Sequence, residues 1–177
     1  CLRRYDYRSV WQINNNMSRK RAAGLGVKLN HMLAGWGADL LLPASDFIAA
    51  NWQGCGVPVR TVRNAAVPLF DAPSQPPLDG PVRCLVAGRL DASKGHHVAL
   101  EAVLRARGDG CDVTLDLFGG PVEGNAYADE LRETLRRRGM EDAVRFMGFT
   151  QDLRQRHREY HLGLQCRIDP EPCSLWV

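Results

Sequence analysis

Arg89 and Lys94 stand in the segment Gly88-Arg89-Leu90-Asp91-Ala92-Ser93-Lys94-Gly95, between an apolar strand-like run and a helical one. Ser93 reads as the N-cap of that helix, which puts Lys94 in its first turn, beside the partial positive charge of unpaired backbone donors. A cation there is unfavourable by a few tenths of a kcal/mol to about 1 kcal/mol unless an anion occupies those donors. Two readings stay open. Either Arg89 and Lys94 flank a diphosphate, or Lys94 points into solvent and Arg89 pairs with Asp91. Near misses narrow the ligand. Ser93 stands where a P-loop needs Gly before its Lys, Gly95 stands where it needs Ser or Thr, and the spacing from Gly88 to Gly95 is not the dinucleotide fingerprint.

Open parallel sheets bind ligands at the carboxyl ends of their strands, so the other strand-end loops are the next places to look. Gly119 and Gly120 follow the run Val113 to Phe118 and allow close backbone approach, a property that tight turns share. Gly148-Phe149 opens a third loop. A fourth holds Pro170-Glu171-Pro172-Cys173-Ser174, where two prolines stiffen the backbone around Glu171 and its carboxylate could accept from sugar hydroxyls. His157 and His161 have i,i+4 spacing, but His161 begins a strand and no third ligand is evident, so no metal site is assigned. His96 and His97 are adjacent and point different ways on a helix.

The elements that must position these loops follow from periodicity. Apolar runs Cys84 to Ala87, Val113 to Phe118, Val144 to Phe146 and Leu162 to Cys166 alternate with helical stretches at 94–107, 126–138 and 151–159. That is α/β: a Rossmann-like parallel sheet with flanking helices. In 94–107 Ala99, Leu100, Val103 and Leu104 form the core stripe, and Glu101 and Arg105 an i,i+4 pair. Arg136, Arg137 and Arg138 close helix 126–138 before Gly139, as the helix dipole prefers. They read as a solvated helix end, without interleaved aromatics for stacking bases. Upstream, residues 17–37 predict a helix with Leu25, Leu29, Met32 and Leu33 facing inward. A strand follows at Asp39 to Leu42, then a short helix capped by Ser45 and a strand at Val59 to Val62. Five prolines from Pro68 to Pro81 mark a linker and a domain boundary after Asn64.

With 177 residues, 45% of them hydrophobic, the chain can bury a real core. A net charge of +3 is too small for an obligate nucleic-acid binder. Residues 1–37 carry seven Lys/Arg against Asp6 alone, so the basic excess sits at one end. A solvated interdomain face or a peripheral membrane contact would each account for it. Six cysteines without a C-x-x-C pair predict buried thiols in a reducing cytoplasm. No apolar run approaches the roughly 18 residues of a spanning helix.

The ordered set Ser45-Asp46-Phe47, Asn64, Gly88-Arg89-Leu90 with Lys94-Gly95, Phe118-Gly119-Gly120, Phe146-x-Gly148-Phe149-x-x-Asp152 and Glu171-Pro172 resembles the retaining, nucleotide-sugar-dependent glycosyltransferases of the GT-B fold, family four. The resemblance covers about residues 39–177. It departs from the family at Ala65, Cys173 and Ser174, where Gly, Phe and Gly are usual.

The resemblance implies a partial GT-B fold. Residues 1–63 would be the final elements of the N-terminal, acceptor-side domain, 64–80 a proline-rich linker, and 81–177 a truncated C-terminal nucleotide-sugar-binding domain. It implies that Arg89 and Lys94 hold the donor diphosphate, with Glu171 on the donor sugar. Gly88, Gly119, Gly120, Gly148, Phe149, Cys173 and Ser174 would line the donor site. A second glutamate of the motif would fall just past Val177. The implied reaction transfers a sugar from a UDP-, GDP- or ADP-sugar with retention. Arg89, Lys94 and the helix N-terminus would stabilise the leaving diphosphate, with no metal and no cofactor required. No general base or nucleophile is assigned. The acceptor would be a sugar or a lipid-linked molecule, the setting cytoplasmic or peripheral at a membrane. This stretch alone is expected to be inactive. The rival reading is a non-catalytic nucleotide-binding or regulatory α/β module.

Overall fold

Parallel strands buried on both faces must be apolar almost throughout, and the runs beyond residue 81 meet that demand. In the computed structural model, which describes residues 7–14, 25–65 and 76–169, they form β3 (Val82–Ala87), β4 (Val113–Phe118), β5 (Val144–Gly148) and β6 (Leu162–Gly163). These pair all-parallel in the order β5-β4-β3-β6. The described residues fall into two compact units, one within Cys1–Pro68 and one within Leu69–Asp169.

In the second unit, α3 (His96–Gly108) connects β3 to β4 and α4 (Tyr127–Arg138) connects β4 to β5. Leu100, Val103 and Leu104 of α3 and Leu131 and Leu135 of α4 share one core with Val86, Leu115 and Leu117 of the sheet. Alternation along β4 sends Val113, Leu115 and Leu117 to that core and Thr114, Asp116 and Phe118 to the other face. The short α5 (Leu153–Arg156) and a 3-10 turn, His157–Glu159, lead into β6. Gly139 adopts the left-handed conformation after α4, whose last turn carries Arg136, Arg137 and Arg138 as its sequence requires. Glu101 does not pair with Arg105. It accepts from Arg138 at 2.9 Å across the two helices, a partner that sequence spacing could not reveal.

The first unit pairs β1 (Val10–Ile13), which the periodicity missed, in parallel with β2 (Leu40–Pro43). The extended segment around Val59 lies along β2, with Arg60 N–H donating to Leu41 and Val62 N–H to Pro43. The short helix α2 (Asp46–Ala50) is capped by Ser45, whose hydroxyl accepts from the Ile48 amide at 3.3 Å. Of the predicted helix 17–37, residues 17–24 lie outside the described residues, and α1 spans Leu25–Gly37.

The inward face of α1 is the reverse of the predicted one. Ala34 is fully buried, Val27 and His31 are half-buried, and the His31 ring stacks on Trp52 at 5.2 Å. The small residues explain it: a Cβ on Gly35 would meet the Cys55 carbonyl oxygen at 3.1 Å, so this side approaches its neighbours closely. Leu25 (86% exposed), Leu29, Met32, Leu33 and Trp36 (70%) lie on the opposite arc. The cysteines depart from expectation too, because Cys84 is buried while Cys111, in the loop after α3, is exposed.

Leu41→Ala, at a fully buried position, should cost about 2–5 kcal/mol. Leu29→Ala should change stability by no more than about 0.5 kcal/mol. Urea unfolding followed by tryptophan fluorescence, which reports Trp11 and Trp52 of this core, checks both.

Candidate functional site

Three neighbouring strands of the second unit run into glycine at their carboxyl ends, Gly88 after β3, Gly119 after β4 and Gly148 closing β5, and the backbone there is knitted together. Gly88 N–H donates to the Phe118 carbonyl at 2.8 Å, Gly119 N–H to the Gly148 carbonyl at 2.8 Å, and Leu90 N–H to the Gly120 carbonyl at 2.9 Å. Gly119 has a φ of +142°, and a Cβ added to it would sit 1.9 Å from the Gly88 carbonyl oxygen. Only glycine lets the β3 and β4 loops touch in this way. Over these ends opens a cleft of about 220 Å³, lined by Gly88, Arg89, Gly119, Gly120 and Phe149 among others. Phe149 is 79% exposed at its edge. Gly148 supplies the hydrogen-bonding carbonyl beneath.

The Arg89–Lys94 loop is built differently from its sequence reading. Asp91, not Ser93, is the cap: its side chain accepts from the Ser93 amide at 2.8 Å and starts a 3-10 turn at Ala92–Lys94. Gly95, left-handed at φ 72°, precedes α3, which begins at His96. A Cβ on Gly95 would lie 1.7 Å from the Cys166 carbonyl oxygen, so the chain after β6 presses against this turn. Lys94 therefore stands before α3 and not in its first turn. The signal available in sequence was the Asp91-x-Ser93 spacing of an Asx turn. The start of α3 is also partly occupied, because His97 N–H donates to the Tyr127 hydroxyl at 2.9 Å.

Lys94 lies with Arg89 at one strand end. Its aliphatic stem covers Gly88, where an added Cβ would meet Cγ and Cδ at 3.6 Å. Hydrogen bonding from Ser93 holds the Asp91 carboxyl below the usual range, and the charges of Arg89 and Lys94 push the same way. Beneath the loop, His96 is fully buried, and burial pushes its pKa down, favouring a neutral imidazole. Ile168 N–H donates to the Ser93 carbonyl at 3.1 Å, tying the segment ahead of Pro170 to the same turn. Glu171, Cys173 and Ser174 lie outside the described residues.

His157 and His161 are not brought together on a ligand. His161 Nδ1 accepts from the Arg83 amide at 2.9 Å, and His157 Nδ1 lies 2.6 Å from the Arg154 carbonyl. Among the described residues no group of His, Cys, Asp or Glu is arranged to hold a metal ion, and no helix is long and apolar enough to cross a membrane.

A parallel α/β sheet with glycine-lined loops and two cations at its strand ends defines a part of a GT-B fold. Residues 81–166 are a glycosyl transferases group 1 domain by their match to that family's sequence model. No curated protein matches the chain. Among solved structures it is similar to Anabaena HepE in complex with UDP-glucose, at 21% identity and a TM-score of 0.76 over 94% of this chain and 48% of that one. It is also similar to the pneumococcal O-GlcNAc transferase GtfA in complex with UDP and GlcNAc, at 19% identity and 0.64 over 83% and 29%. A glycosyltransferase from Rickettsia africae aligns at 15% identity and 0.64 over 92% and 46%. The chain thus spans about half the length of HepE.

Gly119→Ala should destabilise the second unit by about 1–3 kcal/mol through collision with Gly88. Gly120→Ala, where an added Cβ meets nothing within 4 Å, should stay within about 0.5 kcal/mol of the parent. Chemical denaturation followed by circular dichroism separates the two.

Proposed function

We propose that this chain is part of a retaining hexosyltransferase and that its second unit binds the nucleotide-sugar donor. The observation that carries the reading is the placement of Arg89 and Lys94 at the end of β3, beside the Gly119-Gly120 cleft. Two cations at the mouth of a glycine-lined cleft suit a diphosphate, whose oxygens take charge-assisted hydrogen bonds from the guanidinium and ammonium while the bare backbone lets it approach. HepE binds UDP-glucose, which supports a uridine diphosphate hexose as donor here.

When the bond from the anomeric carbon to the diphosphate breaks, negative charge builds on the leaving phosphate and positive charge on the sugar. Arg89 and Lys94 stabilise the first. With the His97 amide already bonded to Tyr127, the side chains carry more of this load than the helix start does. Phe149 borders the base, and Glu171, Cys173 and Ser174 are assigned to the donor sugar by the resemblance alone. Residues 1–63 close an acceptor-side domain, joined through the proline-rich stretch 64–80 to the donor-binding domain at 81–177.

Calorimetric titration with UDP, GDP and ADP tests the clamp. The double variant Arg89→Ala/Lys94→Ala should lose about 1.5–3 kcal/mol of binding free energy per charged contact. Undiminished binding would sink it, and donor turnover by the protein expressed from its full reading frame separates a transferase from a non-catalytic nucleotide-binding module.

A second reading concerns the acceptor. Leu25, Leu29, Met32, Leu33 and Trp36 occupy an exposed arc of roughly 100° on α1, with Lys28 at its border and Arg19-Lys20-Arg21 just upstream in sequence. An apolar stripe flanked by cations suits the surface of an anionic membrane and hence a lipid-linked acceptor. Co-sedimentation should be stronger with vesicles containing phosphatidylglycerol than with phosphatidylcholine alone. It should fall in Leu29→Ser/Trp36→Ser; equal sedimentation across both lipids and both proteins rejects the reading.

A further inference from the structure

The first residue of α3, His96, is a polar side chain where an apolar one would pack at less cost. It is fully buried, and neither ring nitrogen has a hydrogen-bond partner of good geometry. The ring lies under the Arg89–Lys94 loop, against backbone carbonyls of Gly88 and Asp91 that favour its charged form. A neutral imidazole has one N–H and can serve one of these carbonyls, whereas an imidazolium can donate to both. Burial keeps the ring neutral, helped by the charge of Lys94 and by the positive end of a 13-residue helix. Asp91 pulls the other way, and Arg89 acts in turn on Asp91. From α4 the Tyr127 ring meets His96 edge-on at 6.2 Å, and burial pushes its hydroxyl pKa up, so it brings no charge. Burial does the same to the Cys166 thiol, in the segment pressed against Gly95. His97 is turned to the Tyr127 hydroxyl at 2.7 Å.

We propose that His96 is a positioning residue of the donor site that takes up a proton when a sugar diphosphate binds. The inference rests on the donor reading. In the free protein Lys94 opposes a second positive charge beneath it. A diphosphate held by Arg89 and Lys94 brings negative charge to the same loop, offsets Lys94 and the helix start, and leaves Asp91 to favour the imidazolium. The step is the transfer of one proton from solvent to the unprotonated ring nitrogen, with nothing else made or broken. The imidazolium then donates to Gly88, which lines the cleft, and to Asp91, which starts the turn carrying Lys94. Donor and loop thus stiffen each other. Because binding raises a pKa that burial had lowered, the donor binds more tightly as the pH falls through the window between the free and bound values.

The chain is titrated calorimetrically with UDP-glucose, GDP-mannose and ADP-glucose, whose esterified diphosphates do not themselves titrate near neutrality. Buffers of different ionisation enthalpy at about pH 6.5 report the protons exchanged, and imidazole nitrogen–proton correlation spectra follow His96. Net proton uptake is expected, with the His96 midpoint rising by about one pH unit or more on binding. His96→Gln should abolish the uptake. Lys94→Met keeps the stem over Gly88 and alters no core side chain, and it should raise the His96 midpoint of the ligand-free protein. Binding without proton uptake, or with His96 still neutral, overturns the inference and leaves the donor reading standing. A ligand-free midpoint indifferent to Lys94→Met overturns it as well. Failure of all three sugar nucleotides to bind rejects the donor reading and this inference with it.

Discussion

The backbone contact between the first two strand ends of the second unit governs the candidate donor site. With no side chain on Gly119, the β4 loop can lie against the carbonyl of Gly88, and the ladder of hydrogen bonds continues from Gly88 through Phe118 and from Gly119 to Gly148. Everything that could recognise a donor hangs from that rim. Arg89 leaves β3 at it, Lys94 folds back over it, and Phe149 rises from the neighbouring strand. Any side chain at Gly119 would part the loops and move the cations with them.

Charge in this unit is sorted by the sheet. At the carboxyl ends of the strands the cations stand on loops, partly balanced by Asp91, whose carboxylate is engaged in capping a turn. On the sheet face turned away from α3 and α4 the balancing carboxylate, Asp116, is buried and its partner Arg145 is exposed. Asp116 holds Arg145 in place, and burial, reinforced by the hydrogen bond to Asp116, pushes the Tyr160 hydroxyl's pKa up, so that it remains a donor. The His96 imidazole is buried where the Arg89–Lys94 loop meets α3, and burial favours its neutral form beside Lys94.

The first unit shows a different economy. Its core is small, built on Leu41, Ile48 and Trp52 with Ala34 pressed in from α1. A helix that approaches through Ala34 and Gly35 leaves its large apolar side chains on the far side, which is why the residues that most resemble a core stripe are exposed.

Much was legible in the sequence because it rests on local rules. The alternation of apolar runs with helical periods predicts the parallel α/β sheet, Ser45 caps as its type suggests, and the arginine triplet ends α4 where the dipole favours it. The glycines of the candidate cleft could be named because strand-end glycines admit close backbone approach. Sequence could not decide contacts between chain segments far apart. It gave Glu101 to Arg105 when Arg138 was nearer, turned α1 the wrong way, and offered no sign that Asp116, Arg145 and Tyr160 would meet. Periodicity tells which side chains share a face; which face meets a neighbour depends on how closely two backbones can approach, and only the folded chain settles that.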